Sequence, residues 1–171
     1  MIKVTLKDGS VKEFPAGISA YEAAKEISTG LARNACAAKI NGKNADLRDT
    51  LNEDCELEIL TFDDEYGKRT FRHTASHIMA QAVKRLYPHA KLAIGPAVDD
   101  GFYYDFDLET KFTPEDLAKI EAEMKKIVKE DIKLERSYKS RNEAVEFFKE
   151  KNEPYKVELA EDIPEGEDIS F

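Results

Sequence analysis

Apolar and polar residues alternate at the start of the chain. Ile2, Val4 and Leu6 fall on one side, Asp8-Gly9 supplies a tight turn, and Val11 to Phe14 returns. A period of two predicts a hairpin with one buried face. Ser19-Ala20-Tyr21-Glu22 reads as a capping box, in which the serine oxygen accepts from first-turn N–H groups and the glutamate reaches back. The helix it opens packs through Ala23, Ala24 and Ile27, and Gly30 is placed to end it. Ala35 to Ile40 predicts a strand, Asn41-Gly42 a turn, and Glu56 to Leu60 a last strand. Strand, strand, helix, strand, strand over residues 1–62 predicts an α+β roll in which a sheet grasps one helix.

Residues 63–68 are polar, with Asp63, Asp64, Glu65 and Gly67, and read as a linker. The period then becomes helical. Phe71, Ala75, Ile78, Met79, Ala82, Val83 and Leu86 form one stripe that stops near Tyr87-Pro88. A hairpin follows: Leu92 to Val98, a turn at Asp99-Asp100-Gly101, and Phe102 to Phe106, with Phe102, Tyr104 and Phe106 on one face. Thr113 caps a second helix, with Pro114 at its first position and the stripe Leu117, Ile120, Met124, Ile127, Val128. Ser140-Arg141-Asn142-Glu143 is a further capping box, opening a helix that packs through Ala144, Val145, Phe147 and Phe148. Tyr155 to Leu159 alternates and predicts a strand, with Tyr155, Val157 and Leu159 inward and Lys156 and Glu158 on the opposite face. The acidic end finishes on Ile169-Ser170-Phe171, an apolar close expected of a fold cut short.

Within the second stripe lies a pair with chemical interest. His73 and His77, in Arg72-His73-Thr74-Ala75-Ser76-His77, are two of the three histidines and stand one helical turn apart. Positions i and i+4 differ by about 40° around the axis, and both fall roughly 150–190° from the centre of the apolar stripe. The helix is therefore expected to bury one face and present two imidazoles on the other. Such a pair serves as two metal ligands, as a general acid and base, or as hydrogen-bonding groups that orient a substrate. A zinc protease of the His-Glu-x-x-His kind is disfavoured, since Thr74 occupies the place of the general base. A closed metal site would have to draw on His89, Cys36, Cys55 or carboxylates.

The 26 basic and 35 acidic residues give a net charge of −9, so no global basic field announces nucleic acid, although a local basic patch remains open. Cys36 and Cys55 form no Cys-x-x-Cys pair, no signal peptide is present, and no apolar run approaches a membrane span. A reduced, cytoplasmic chain without membrane contact is expected.

The grasp-like opening, Arg72-His73-Thr74-Ala75-Ser76-His77, Ala93-Ile94-Gly95-Pro96, Gly101-Phe102-Tyr103-Tyr104-Asp105 and Glu153-Pro154-Tyr155-Lys156-Val157, in that order, resemble the N-terminal half of bacterial threonyl-tRNA synthetases. The resemblance implies a TGS domain of the ubiquitin-like β-grasp kind at residues 1–62, a linker at 63–68, and part of a threonyl/alanyl-type α+β editing domain at 69–171. It implies that His73, His77 and Lys156 belong to a site hydrolysing seryl-tRNA(Thr), with Gly95 and Tyr104 as walls that bind the substrate. The need for such a site is physical. Serine lacks one methyl of threonine, and a methyl in a pocket is worth about 1–3 kcal/mol, or roughly 10–200-fold.

In this family a Cys-x-x-x-His segment further along closes the cleft, and this chain stops before it, so no ordered zinc is expected here. The resemblance assigns ATP, magnesium and zinc to a catalytic core beyond these residues, together with dimerisation through that core. It names the acceptor end of tRNA(Thr) and aminoacyl esters of serine and threonine as partners. Two rival readings keep other classes open: a TGS-bearing regulatory or RNA-binding module, such as occurs in GTPases and stringent-response proteins, and a free-standing metallohydrolase acting on mischarged tRNA.

Overall fold

A computed structural model describes residues 1–171 and divides them into two compact units, Met1–Arg72 and His73–Phe171. In the first, the alternating residues form β1 (Ile2–Leu6) and β2 (Val11–Phe14), followed by β3 (Ile18–Ser19), α1 (Ala20–Ile27), α2 (Thr29–Asn34), β4 (Ala35–Ile40), β5 (Lys43–Ala45), β6 (Thr50–Leu51) and β7 (Cys55–Thr61). Five of the strands make one sheet in the order β2-β1-β7-β4-β5. The central pair β1 and β7 runs parallel, with Val4 opposite Cys55, and the other pairs run antiparallel. Ile2, Val4, Phe14, Leu57 and Ala38 project into one core with Ala20 and Ala23 of α1, where alanines let the helix lie close to the sheet. This is the β-grasp arrangement expected from the pattern.

Both oxygen partners of the first capping box are in place: Glu22 N–H donates to Ser19 Oγ at 3.2 Å, and Ser19 N–H donates to Glu22 Oε2 at 3.1 Å. Gly30 does not end the first helix. Ser28 does, with extended backbone at φ −164° and ψ 131°, and the same residue opens α2, in which Gly30 sits. A serine whose side chain accepts the N–H of Leu31 serves as both stop and start, which the search for a terminal glycine overlooks. β3 and β6, each two residues long, pair antiparallel, a contact too short for the alternation of residues to announce.

Residues 63–68 hold less loose chain than their polarity suggests. Asp64 folds back to accept from Thr61 N–H at 2.8 Å, and α3 (Glu65–Leu86) begins at the next residue. The division between the two units falls within this helix.

The second unit continues with β8 (Lys91–Leu92), β9 (Ala97–Val98), β10 (Gly101–Phe102), β11 (Phe106–Asp107), α4 (Pro114–Glu130), β12 (Tyr138–Ser140), α5 (Arg141–Glu150), α6 (Pro154–Glu161) and β13 (Asp168–Ser170). Ala82, Val83, Ala90, Ile120 and Ile127 form one core, flanked by Met79, Phe106, Phe112 and Met124. Ala144, Val145 and Ala160 form another, with Phe148, Val157, Ile169 and Phe171 around it. The α3 stripe is shorter than its periodicity: Phe71, which like Phe62 belongs to the first unit, is 54% exposed and makes an edge contact with that ring. Leu117 and Val128 of α4 also stay exposed, leaving Ile120 and Ile127 as its buried positions.

The expected hairpin is present with a break. β8 pairs with β11 and β9 with β10, while the backbone hydrogen bonds from Ala93 and to Ile94 give way at Gly95-Pro96, where proline has no N–H to offer. The expected strand at Tyr155–Leu159 is a helix instead. Five residues of alternation are too few to separate the two periods, and Pro154 at the first helical position was the signal. The helix buries Ala160 and packs the partly buried Val157, three positions earlier, against the same core, while Tyr155 donates to Asp107 Oδ2 at 3.0 Å.

Candidate active site

On α3 the two imidazoles do face away from the aliphatic core. His73 and His77 are both exposed, and their rings lie with centroids 4.5 Å apart and planes tilted by 50°. Nε2 of one is 3.1 Å from Nε2 of the other. That distance is a hydrogen bond, so one ring donates and its neighbour accepts, the assignment following the tautomers. The pair thus holds a single proton between two nitrogens, and double protonation would set two N–H groups head to head.

Although its ring reaches the surface, partial desolvation by its surroundings lowers the pKa of His77, and the nearby charges of His73 and Lys156 lower it further. Its ring is therefore neutral and able to accept a proton at neutral pH. Lys156 stands on the first turn of α6, half-buried, with Nζ 5.6 Å from the centroid of Phe148. Burial pushes its ammonium below the usual lysine range, the Glu153 carboxylate draws it back up, and Lys84 pushes it down. Charge at Lys156 reaches His77, so α3 and α6 contribute to one electrostatic locality although 79 positions separate the two side chains along the chain (156 − 77).

Gly95 and Tyr104 meet directly. A Cβ built on Gly95 would lie 2.1 Å from Tyr104 Cδ2, so the ring rests on the glycine backbone. Its other support is Phe106, stacked at 4.9 Å and 20°. Burial, and then the charge of Glu153, push the Tyr104 phenol above its ordinary range. The geometry makes Gly95 the seat of Tyr104, with the aromatic ring left as the rigid surface.

Three residues outside the expected set hold this arrangement. Ser76 is fully buried and its hydroxyl donates to His73 O at 2.7 Å, with Gly95 O at 3.3 Å as the alternative acceptor. It pins the histidine turn to the glycine loop. Glu153 is 7% exposed and accepts from Lys84 Nζ at 2.8 Å and from Leu92 N–H at 3.1 Å. Nothing in local sequence flags a helical serine as buried, or a helical lysine as tied to a distant carboxylate. Glu153 carried one hint: it precedes a helix-opening proline, where a capping serine or aspartate is usual.

No group of three or more His, Cys, Asp or Glu side chains is arranged to hold a metal ion, and His73 and His77 stand as a pair. Cys36 and Cys55 are free thiols in the first unit, where burial pushes both above the usual range. The arrangement is that of a proton-holding pair within electrostatic reach of a cation and joined through Ser76 to the glycine that seats an aromatic ring, suited to hydrolysis at an ester or to binding an anionic group.

Comparison with known proteins adds the family. Residues 2–61 match the TGS domain. All 171 residues align with threonine--tRNA ligase of Acetivibrio thermocellus at 64% identity, of Clostridium novyi at 62% and of Clostridioides difficile at 60%. The chain spans 27% of the length of each of these relatives. It carries a TGS domain and, along its whole length, is similar to the N-terminal region of bacterial threonine--tRNA ligases.

Proposed function

We propose that the chain is the N-terminal part of a threonyl-tRNA synthetase, and that residues from His73 onward contribute to hydrolysis of seryl-tRNA(Thr). The observation that carries this reading is the 3.1 Å contact between the two imidazole nitrogens, beside a lysine whose charge lowers the pKa of His77. Hydrolysis of an aminoacyl ester needs a placed water, an acceptor for its proton and a counterpart for the charge developing on the carbonyl oxygen. A neutral His77 takes or relays the proton with His73, and Lys156 supplies positive charge for the oxyanion or for a phosphate of the tRNA terminus. Tyr104, held by Gly95 and Phe106, is a rigid surface against which the smaller seryl group fits and the extra methyl of threonine does not.

The longer protein then charges tRNA(Thr) with threonine in the cytoplasm, with ATP, magnesium and zinc held in its catalytic core and a homodimer formed through that core. None of those groups is assigned to residues 1–171. The rival reading, a TGS-bearing RNA-binding module, gives the histidine contact no use.

Deacylation of seryl-tRNA(Thr) tests the proposal in protein extended to the length of its relatives. His73→Ala is expected to slow it at least about 100-fold, the lower range for loss of a positioned proton-transfer group, while threonine activation stays near wild type. An unchanged deacylation rate would sink the hydrolytic role.

A further inference from the structure

Glu153 stands at the N-cap of α6, yet its side chain makes no capping hydrogen bond to that helix. Both carboxylate oxygens leave it instead, one for Lys84 of α3 and the other for the backbone N–H of Leu92 in β8. Its main-chain oxygen meanwhile accepts from Lys156 N–H and Val157 N–H, each at 3.1 Å, and so starts the turn that carries Lys156. Lys84 is equally committed. Nζ donates to Glu153 at 2.8 Å, to Ala90 O at 2.8 Å and to Pro88 O at 3.2 Å, which uses all three of its hydrogens. Of the two ammonium groups, only Lys156 is left to meet a substrate.

We infer that Glu153 is the positioning residue of this site: anchored by Lys84 and Leu92, it fixes the first turn of α6 so that Lys156 lies beside His77 as a cation. The charged and titratable groups acting on that amine are Glu153 on its own helix and Lys84 and His77 on α3, with the uncharged ring of Phe148 from α5 below it. Glu153 is the one anion among them. Without it, a half-buried ammonium would face a second lysine with nothing to offset the desolvation, and the neutral amine would gain. The catalytic consequence rests on the hydrolytic reading given above, but the placement itself does not.

Competitive acetylation of the 171-residue chain, read lysine by lysine by mass spectrometry across a pH series, measures the protonation of Lys156 directly. Glu153→Gln is expected to lower the midpoint of the Lys156 profile, raising its neutral fraction near pH 8 roughly tenfold relative to exposed Lys12. Lys84→Met added to Glu153→Gln is expected to return most of that change, because the repelling cation leaves with its partner. Glu153→Asp, which keeps the charge, is expected to stay within about threefold of wild type. A Lys156 midpoint unmoved by Glu153→Gln, or one that rises to meet the surface lysines, overturns the inference, the second outcome marking a residue that only packs α6. Should the single variant fold poorly by circular dichroism, the aspartate and double variants carry the comparison. Failure of the hydrolytic reading would show separately, as normal seryl-tRNA deacylation by His73→Ala in the extended protein.

Discussion

At the scale of single residues, the informative group is His77. Its folded-state pKa lies below the ordinary imidazole value because burial disfavours the charged ring and two neighbouring cationic groups oppose it. The unfolded chain therefore binds a proton on this residue at higher pH than the folded chain does. Stability from His77 is present above the unfolded value of about 6.5 and is lost as pH falls below it towards the folded midpoint. Lys156→Met removes one of the opposing charges, so the His77 midpoint is expected to rise, by a few tenths to about one pH unit, when followed by imidazole NMR of the 171-residue chain. A midpoint that stays put would mean that Lys156 does not face the pair. In the extended protein the acidic limb of the seryl-tRNA deacylation profile should move the same way.

At the scale of elements, α3 depends on a glycine that its periodicity does not mark. Gly67 is buried near the start of the helix, and a Cβ placed there would lie 2.0 Å from Thr61 O and 2.8 Å from Thr61 C, both backbone atoms of β7. Glycine to alanine in a helix is ordinarily stabilising by about 1 kcal/mol. Here the sign reverses, since a main chain cannot rotate out of the way as a side chain can. Gly67→Ala is expected to destabilise the first unit by about 1–3 kcal/mol, seen as faster hydrogen exchange at β7 amides such as Leu57 and Leu60. Protection equal to wild type would show that β7 shifts at little cost. The helical period of α6 belongs to the same scale. Tyr155, Val157 and Leu159 alternate in sequence, but the helix packs Val157 with the buried Ala160 and leaves Leu159 51% exposed. Burial followed the spacing of three, and the apolar alternation was incidental.

At the scale of the whole molecule, each unit owes its integrity to different forces. The first closes around one continuous sheet-and-helix core. The second has two smaller cores, and its segments are also tied by an ion pair between the partly exposed Lys84 and the buried Glu153, linking α3, α6 and β8. Removing Lys84 alone leaves the Glu153 carboxylate in a buried place with one N–H for company. Lys84→Met is therefore expected to cost about 3 kcal/mol in urea unfolding of the second unit, while Lys84→Met with Glu153→Gln costs clearly less. Equal losses for the two variants would argue that packing of the lysine stem, not the charge, matters there. The net charge of −9 sets no such local order, and no helix in the chain is long and apolar enough to cross a membrane.

The order of residues was enough to specify the β-grasp roll, the capping boxes at Ser19 and Ser140, the N-cap at Thr113, and the outward face of His73 and His77. Each of these depends on contacts within a few positions, or on a periodicity that only one element satisfies. Thr113 is an instructive case: the notched pattern Thr-Pro-Glu-Asp marks the start of α4, and Asp116 closes the box from three residues on. Only the tertiary structure decided that Gly95 seats Tyr104, and that Ser76, Lys84 and Glu153 hold the site together. Those contacts join residues 9 to 69 positions apart (104 − 95 for the glycine and tyrosine, 153 − 84 for the ion pair), and a polar side chain becomes buried only when a distant element supplies its partner.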